Sequence, residues 1–142
     1  MKREIKFRAY SSPNHKMYLV SNIEWDLDGR IWVTADDGKN GIELMDEEAH
    51  LMEYTNLKDK NGREIYESDI LKVTAEDGES YVATVKWFGD EDYPAFDLAG
   101  IPAPWSYDAN ALATIFQEGI ETCEVIGNIW DNPDLLEAAE HD

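Results

Sequence analysis

Alternation between apolar and polar residues is the main pattern along this chain. It is clearest at residues 5–10, 23–27 and 81–87, where side chains on every second position are apolar or aromatic. A period of two is typical of strands that bury one face against a core. The pattern therefore predicts a strand in each of these three segments.

Glycine-containing dipeptides separate the strand-like segments. The pairs of this kind are Asp28-Gly29, Asp37-Gly38, Asn61-Gly62 and Asp77-Gly78. Such pairs readily adopt the positive φ angles that tight hairpin turns require. The first pair links residues 23–27 to the apolar run 31–33, and the last links residues 69–73 to 81–87. Both arrangements predict a β-hairpin.

Three segments depart from the strand pattern. Residues 41–54 mix apolar residues and acids without a period of two, which indicates either an irregular helical turn or a loop linking two halves. Residues 89–107 are rich in proline and glycine and predict an irregular insertion, because proline cannot donate a ladder hydrogen bond. Asp108 is predicted to cap a short helix that ends near Gly119.

The C-terminal residues predict one more strand and one more helix. The strand is expected over residues 122–130. Asn132 is a good N-cap, and Pro133 suits the first helical position, where its missing N–H costs nothing. We therefore expect a short helix that reaches about residue 139.

Together these elements predict a mainly β fold, on the border of α+β. It consists of N-terminal β-hairpins and an SH3-like small barrel, with a short helix near residues 108–118 and a short C-terminal helix. With 142 residues, a single domain 1–142 is expected, with subdomains at 1–54 (hairpins) and 55–142 (barrel and helix). The residues predicted to form the core are Ile5, Phe7, Ile23, Trp25, Ile70, Val73, Val85, Ile126 and Ile129.

Acidic residues dominate the charge. The chain has 12 Lys and Arg against 31 Asp and Glu, for a formal net charge of −19. All the basic residues lie at or before Lys86, and residues 87–142 contain 13 acids. Nucleic-acid binders normally present a basic surface, so direct binding of DNA or RNA is not expected. The negative field would attract a basic protein, although it also serves solubility alone.

The sequence lacks signals for a membrane or an oxidising compartment. No apolar run approaches the length of a membrane span, and no apolar segment follows the basic N-terminus as in a secretory signal. A single cysteine excludes a disulfide framework within the chain. We therefore expect a cytoplasmic protein that does not bind a membrane.

Reaction chemistry is not indicated by the residue types. Cys123 shares a predicted strand face with Val125 and Ile129, which places the thiol in the core. The three histidines stand outside any motif. Residues 59–62 resemble part of an EF-hand loop but lack ligands at its first and last positions, so an ordinary turn is expected there. We predict no catalytic residue, no metal and no cofactor.

The predicted insertion carries the candidate interaction surface. It combines aromatic residues with a run of acids, namely Tyr93, Phe96, Trp105 and Tyr107 with Asp90, Glu91 and Asp92. Aromatic side chains beside prolines can form a groove or anchor an interface. The alternative is that these side chains fold back as a lid on the barrel.

Three stretches give the chain its resemblance to a known family. They are LMEYTNLKDKNGREIYESDI at 51–70, IKFRAY at 5–10 with the nearby Met17-Tyr18, and EVIGNIWDNPDLL at 124–136. The chain resembles the YopX family of phage and prophage proteins over nearly its whole length, and residues 89–120 match weakly. The resemblance implies a phage or prophage origin and residence in a bacterial cytoplasm. It implies no established activity, and no catalytic residue carries over.

Two residues differ from the family signature, which usually has glycine at both positions. Asn56 tolerates a positive φ, so the first turn is expected to survive. Ser68 tolerates it less well, so we expect this position not to need left-handed geometry. Within the signature, Asp69 is predicted to cap backbone N–H groups at a strand entrance. The Gly127-Asn128 step is expected to permit a bulge or a close approach of the backbone.

Three functions remain open at this point. The first is a non-catalytic accessory protein that binds an unidentified protein or itself, since unpaired edges of small barrels favour homo-oligomers or strand addition. The second is an acidic mimic of DNA that inhibits a host nucleic-acid-binding protein. The third is a small hydrolase or metal enzyme, which would need a concave site with convergent polar groups.

Overall fold

The computed structural model describes residues 4–88, 95–102, 105, 107 and 110–136, and these residues are mainly antiparallel strand. The predicted mainly β class is confirmed. In chain order the strands are β1 (Phe7–Ser11), β2 (Lys16–Trp25), β3 (Ile31–Asp36), β4 (Gly41–Met45), β5 (Ala49–Lys58), β6 (Glu64–Tyr66), β7 (Asp69–Thr74), β8 (Ser80–Trp87), β9 (Phe96–Ala99) and β10 (Thr122–Asn128). Helix α1 (Ala111–Glu118) lies between β9 and β10, and residues 134–136 are also helical. The rest of the predicted C-terminal helix lies outside the described residues.

All the predicted glycine turns connect adjacent strands, with each glycine at a positive φ between 82° and 99°. The turns at 26–30, 59–63 and 75–79 share one hydrogen-bond pattern. In each, the N–H of the first residue donates to the carbonyl of the fifth, and the glycine N–H donates to the carbonyl of the first. This is the geometry of a hairpin loop in which a left-handed glycine follows a tight turn. Local sequence therefore determines these three connections.

The chain forms two compact units, residues 1–54 and 55–142. The first, unit 1, contains β1 to β4 and residues 49–54 of β5, hydrogen-bonded in the order β4-β3-β2-β1-β5. Its core covers one face of this sheet and consists of small and medium side chains with one aromatic ring: Ala9, Tyr18, Val33, Ala35, Leu44 and Ala49.

Segment 41–54 is strand, so the expectation of a helical turn or a loop is wrong. Residues 46–48 turn the chain from β4 into β5. Met45 and Glu48 close this turn, because the Met45 N–H donates to the Glu48 carboxylate at 3.0 Å and the Glu48 N–H donates to the Met45 carbonyl at 2.9 Å. The alternation was obscured because β4 has only five residues and acids interrupt the pattern immediately after it.

The second unit, unit 2, contains a sheet with the order β10-β7-β8-β9, and β6 pairs with the end of β5. These strands lie where the sequence predicted the SH3-like barrel. The core is formed by side chains from the sheet, β6 and α1, with Ile65, Leu71, Val73, Val85, Leu112 and Ile115 among its most buried members. The prediction that residues 89–107 are wholly irregular is wrong, because β9 lies within this segment and pairs with β8.

Helix α1 is predicted correctly in position but not in its cap. The Asn110 side chain accepts a hydrogen bond from the Ala113 N–H at 2.9 Å, so Asn110 is the N-cap. Asp108 lies outside the described residues. Gly119 closes the helix with a left-handed φ of 69°, as the sequence predicts.

The core prediction is correct in the middle of the sheets and wrong at strand ends. Ile70, Val73 and Val85 are fully buried. Ile5 and Trp25 are instead 74% and 69% exposed, because one precedes β1 and the other ends β2. The remaining members, Phe7, Ile23, Ile126 and Ile129, are half-buried.

Both departures from the family signature adopt left-handed backbone. Asn56 has a φ of 70°, as expected, but Ser68 has a φ of 75°, so the expectation for Ser68 is wrong. The Ser68 N–H donates to the Val85 carbonyl at 2.8 Å, and the Ser68 carbonyl accepts from the Ile129 N–H at 3.0 Å. These two non-local bonds hold the serine in a conformation that disfavours a Cβ atom.

The signature's other two expectations are confirmed. The Asp69 carboxylate accepts a hydrogen bond from the Tyr66 N–H at 2.7 Å, at the start of β7. The register of β10 shifts between Val125 and Gly127, which marks a bulge. A Cβ atom at Gly127 would lie 2.5 Å from Oδ1 of Asn132, so this glycine permits a close approach.

Replacing Ser68 with glycine should stabilise the protein. A left-handed residue with a Cβ costs about 1–2 kcal/mol, so glycine at this position relieves strain in the folded state. Part of this gain is lost, because glycine also has greater conformational freedom in the unfolded chain. We expect Ser68→Gly to raise the free energy of unfolding by about 0.5–1 kcal/mol in urea titration. Ser68→Ala is the matched control and should give no gain, since it removes the hydroxyl but keeps the Cβ. Equal gains in both variants would contradict the role of backbone strain.

Candidate functional site

Two of the candidate aromatic residues pack on the sheet of unit 2. The Trp105 ring lies 4.7 Å from the Tyr81 ring, between centroids. The Tyr107 hydroxyl lies 2.6 Å from the Tyr81 hydroxyl and donates to the Glu121 carboxylate at 3.0 Å. Because the Tyr107 proton is directed to Glu121, Tyr81 must be the donor to Tyr107. These contacts fasten the segment before α1 to the sheet.

Neither tyrosine can act as an acid near neutral pH. Burial is the largest cause that raises the pKa of Tyr81, and the bond to Tyr107 and nearby negative charges raise it further. Burial also raises the pKa of Tyr107, and the Glu121 carboxylate adds to this although the bond to Tyr81 opposes it. The two hydroxyls therefore stay protonated and serve as structural donors.

Phe96 occupies a different position, at the rim of an apolar cleft. Its ring meets the Trp87 ring edge-on, with centroids 5.1 Å apart, and Trp87 is itself partly exposed. The other members of the candidate surface, Tyr93 and the run Asp90, Glu91 and Asp92, lie outside the described residues.

The cleft beside Phe96 has a volume of about 340 Å³ and lies between the end of β5, β9 and α1. Its apolar wall is formed by Leu57, Phe96, Leu112, Ala113 and Phe116. Polar groups, including Asn110 and Gln117, stand at the edge. An apolar recess with a few polar groups at its rim is the usual form of a binding site for a side chain or a small ligand.

Two side chains fix α1 against β9 and so form this cleft. Asn110 donates from its side-chain amide to the Phe96 carbonyl at 2.9 Å, while its side-chain oxygen caps the helix. The buried Asp97 carboxylate accepts the Leu112 N–H at 3.1 Å. The helix start is therefore hydrogen-bonded directly to the edge strand.

A second cleft, of about 360 Å³, lies at the C-terminal end of α1 and is acidic. It is lined by Glu76 and Asp77 from the turn between β7 and β8, and by Glu118 and Glu121. Within the described part of the chain, none of these four carboxylates forms an ion pair with Lys or Arg. Glu118 also lies at the negative end of the helix dipole, which is unfavourable for an anion.

In the turn at 59–63, which resembles part of an EF-hand loop, the Asp59 carboxylate accepts hydrogen bonds from backbone N–H groups. Oδ1 of Asp59 accepts the N–H groups of Asn61 and Arg63, both at 2.9 Å, and Oδ2 accepts that of Val125 at 2.9 Å. The Lys60 N–H donates to the Cys123 carbonyl at 3.0 Å. Asp59 thus joins the turn to the outer edge of β10.

The ionisation of Asp59 and of Cys123 follows from this packing. Burial opposes the charge on Asp59, but hydrogen bonds from the Val125, Arg63 and Asn61 N–H groups outweigh it, and the pKa lies below its usual value. Burial, with the nearby Asp59 charge, raises the pKa of Cys123 to about 11. A buried thiol with this pKa is a poor nucleophile at neutral pH.

Among the described residues, no group of three or more His, Cys, Asp or Glu side chains is arranged to hold a metal ion. Likewise, no helix in the described ranges is long and apolar enough to cross a membrane.

Phe96 is the one residue lining the apolar cleft that the sequence named as a candidate, and the sequence indicated neither the other residues of this cleft nor the acidic cleft. Leu112 and Phe116 are four residues apart on the predicted helix, a spacing that places both side chains on one face and could have indicated the cleft. Leu57 gave no such signal, because its place beside α1 depends on contacts distant in sequence. The same holds for Glu76 and Glu118.

The fold defines a mainly β protein of two compact units, with two clefts lined in part by one short helix. The profile of the YopX protein family matches residues 6–137, and the chain belongs to the YopX family.

Comparison with individual proteins agrees with this assignment. The SPbeta prophage-derived uncharacterized protein YopX of Bacillus subtilis (strain 168) is 34% identical over 79 residues, which are 56% of this chain and 54% of that protein. The match thus spans about half the length of this curated relative.

Two crystal structures share the fold. Protein EF1440 from Enterococcus faecalis has a TM-score of 0.61 at 22% identity, covering 95% of this chain and 99% of that one. Protein YopX from Bacillus subtilis has a TM-score of 0.56 at 22% identity, covering 92% of this chain and 96% of that one.

Replacing Asp59 should destabilise the protein in a pH-dependent way. Asp59→Asn keeps an acceptor for the turn but presents an amide to Val125, so we expect a loss of about 1–3 kcal/mol at neutral pH in urea titration. The wild-type carboxyl has a lowered pKa in the folded state, so its contribution is present above the unfolded-state pKa and is lost as pH falls through the folded-state pKa. The difference between wild type and variant should therefore shrink as the solution becomes acidic.

The control for this experiment is Asp77→Asn. The Asp77 carboxylate is exposed and accepts a hydrogen bond from the Glu79 N–H at 2.9 Å within its own turn. We expect at most a small, local loss of stability. A difference between wild type and Asp59→Asn that stays constant from neutral to acid pH would contradict the assigned role of the charge.

Proposed function

We propose that this protein is a non-catalytic binding module that engages a basic protein partner along α1 of unit 2, in the cytoplasm of a bacterial cell. One observation carries the proposal: α1 helps to line both the apolar and the acidic cleft, with Gln117 in the first and the next residue, Glu118, in the second. A partner segment with both apolar and basic side chains complements this pair of surfaces. The family membership is compatible with such a role but assigns no activity.

The two clefts make different contributions to binding. Transferring one large apolar side chain from water into a recess contributes about 1.5–3 kcal/mol. Carboxylates without cationic partners accelerate encounter with a basic protein and select against acidic ones. The charge extends beyond α1, because residues 55–142 contain five Lys and Arg and 20 Asp and Glu, a formal charge of −15.

Docking through side chains is favoured over addition of a strand to the sheet of unit 2. On the outer edge of β10, the Val125 N–H donates to the Asp59 carboxylate, and the Cys123 carbonyl accepts the Lys60 N–H. On the other edge, Asn110 occupies the Phe96 carbonyl of β9. An incoming strand would need these groups for its own ladder.

Binding of a short synthetic peptide tests the proposal. The peptide contains Leu and Trp among Lys and Arg residues and carries a fluorescent label. Ala113 is exposed on the wall of the cleft, so Ala113→Arg should block the recess and repel the peptide without altering the core. We expect a loss of affinity of about tenfold or more in fluorescence anisotropy, equivalent to about 1.4 kcal/mol.

Asn40→Arg is the matched control. It makes the same charge change in an exposed turn of unit 1 and should leave the affinity within about twofold. A peptide with Ala in place of Leu and Trp should bind about tenfold more weakly to the wild type. Equal affinity for both peptides, or an equal loss of affinity in both protein variants, would show that the attraction is non-specific. Either result would contradict the proposal that the apolar cleft binds the peptide.

An acidic mimic of DNA is the second candidate, and the formal charge of −15 on residues 55–142 favours it. In that case the partner is a nucleic-acid-binding protein, and duplex DNA competes with this chain for it. Affinity should then fall steeply with salt, and the double variant Glu76→Gln with Glu118→Gln should reduce that dependence. Affinity that does not depend on salt would reject the mimic and leave the apolar cleft as the dominant contact.

A further inference from the structure

Two large apolar side chains project from the turn between β2 and β3 in unit 1. Trp25 is 69% exposed, and Leu27 at the apex is fully exposed. Trp25 pairs with Ile31, and Ile23 pairs with the buried Val33. Trp25 thus prolongs the apolar face of the sheet beyond the core, and Leu27 follows it in the turn. Leaving such side chains in water forgoes about 1.5–3 kcal/mol each relative to burial.

The same turn occurs twice more in the chain, and there it is polar. The turns at 59–63 and 75–79 have the hydrogen-bond pattern of the turn at 26–30. The residue equivalent to Leu27 is Lys60 in one and Glu76 in the other, and both are exposed. The residue equivalent to Trp25 is Lys58 in one and Thr74 in the other. Turn geometry therefore does not require apolar residues at these positions.

Hydrogen bonds hold this apex in one conformation. Oδ1 of Asp26 accepts the Asp28 N–H at 2.9 Å and the Arg30 N–H at 3.0 Å. The Asp26 N–H donates to the Arg30 carbonyl at 3.0 Å. A surface that is ordered before binding loses less conformational entropy when a partner docks.

We infer that the turn at 26–30, together with Trp25, is an anchor that inserts into an apolar pocket of another protein, edged by Lys or Arg. Large exposed apolar side chains on an ordered projection are typical of interface anchors. The charge of the pocket's edge follows from Asp28, which is next to Leu27 in the turn and is exposed, whereas the basic residue of the turn, Arg30, is paired with Asp46 at 3.9 Å. A second copy of this chain fits poorly, because the described residues that line the apolar cleft of unit 2 include no Lys or Arg and the acidic cleft would repel this carboxylate. The anchor lies in unit 1 and does not rest on the proposal for α1.

Site-specific photo-cross-linking tests the inference. The full chain, with Leu27 replaced by the photoreactive residue p-benzoylphenylalanine, is irradiated in a bacterial lysate, and the attached peptides are identified by mass spectrometry. We expect attachment to a peptide of another protein in which apolar residues stand beside Lys or Arg. Adding Trp25→Ala should lower the yield by about tenfold. Ala113→Arg should leave it unchanged, which separates this surface from the cleft on α1.

The equivalent turn supplies the control. The same photoreactive residue in place of Lys60 should not attach to that peptide. Attachment from both positions alike, attachment only to other copies of this chain, attachment to peptides without cations, or no attachment would each overturn the inference. In the chain that carries the photoreactive residue, Trp25→Ala should keep the thermal midpoint within about 2 °C, because Trp25 is 69% exposed, so a lost cross-link cannot be attributed to unfolding.

Discussion

Buried carboxylates that accept backbone N–H groups are the interaction on which unit 2 depends. Asp59 joins a hairpin turn to β10, Asp69 caps the entrance to β7, and Asp97 fixes the start of α1 to β9. Each acid is almost fully buried, and backbone N–H groups take the place of the hydrogen bonds that water would otherwise donate. In a chain with a formal charge of −19, these three acids serve the architecture, whereas the exposed acids generate the external field.

The features that could be predicted from sequence are those determined within a few neighbouring residues. The glycine turns, the bulge at Gly127 and the end of α1 at Gly119 follow from backbone preferences of single residues. Ser68 shows the limit of this reasoning. Its left-handed φ is imposed by hydrogen bonds to Val85 and Ile129, which are remote in sequence, and these override the preference of serine.

The candidate site was predictable only in part for the same reason. An aromatic residue in a proline-rich segment pointed to Phe96, but the recess beside it needs β5 and α1, which are separated by more than half of unit 2. Trp25 gives the opposite lesson. Its alternation with acidic neighbours correctly indicates a strand, but periodicity alone cannot tell where along a strand the core ends.

The covered edges of the sheet in unit 2 have a consequence for the behaviour of the protein in acid. The Asp59 carboxylate covers the Val125 N–H on the outer edge of β10. Protonation makes this oxygen a poorer acceptor, so the Val125 N–H becomes available to pair with another molecule. Pairing of this kind, repeated from chain to chain, is the first step toward cross-β fibrils. The carboxylate that joins the turn to β10 therefore also blocks one position at which a further strand would pair.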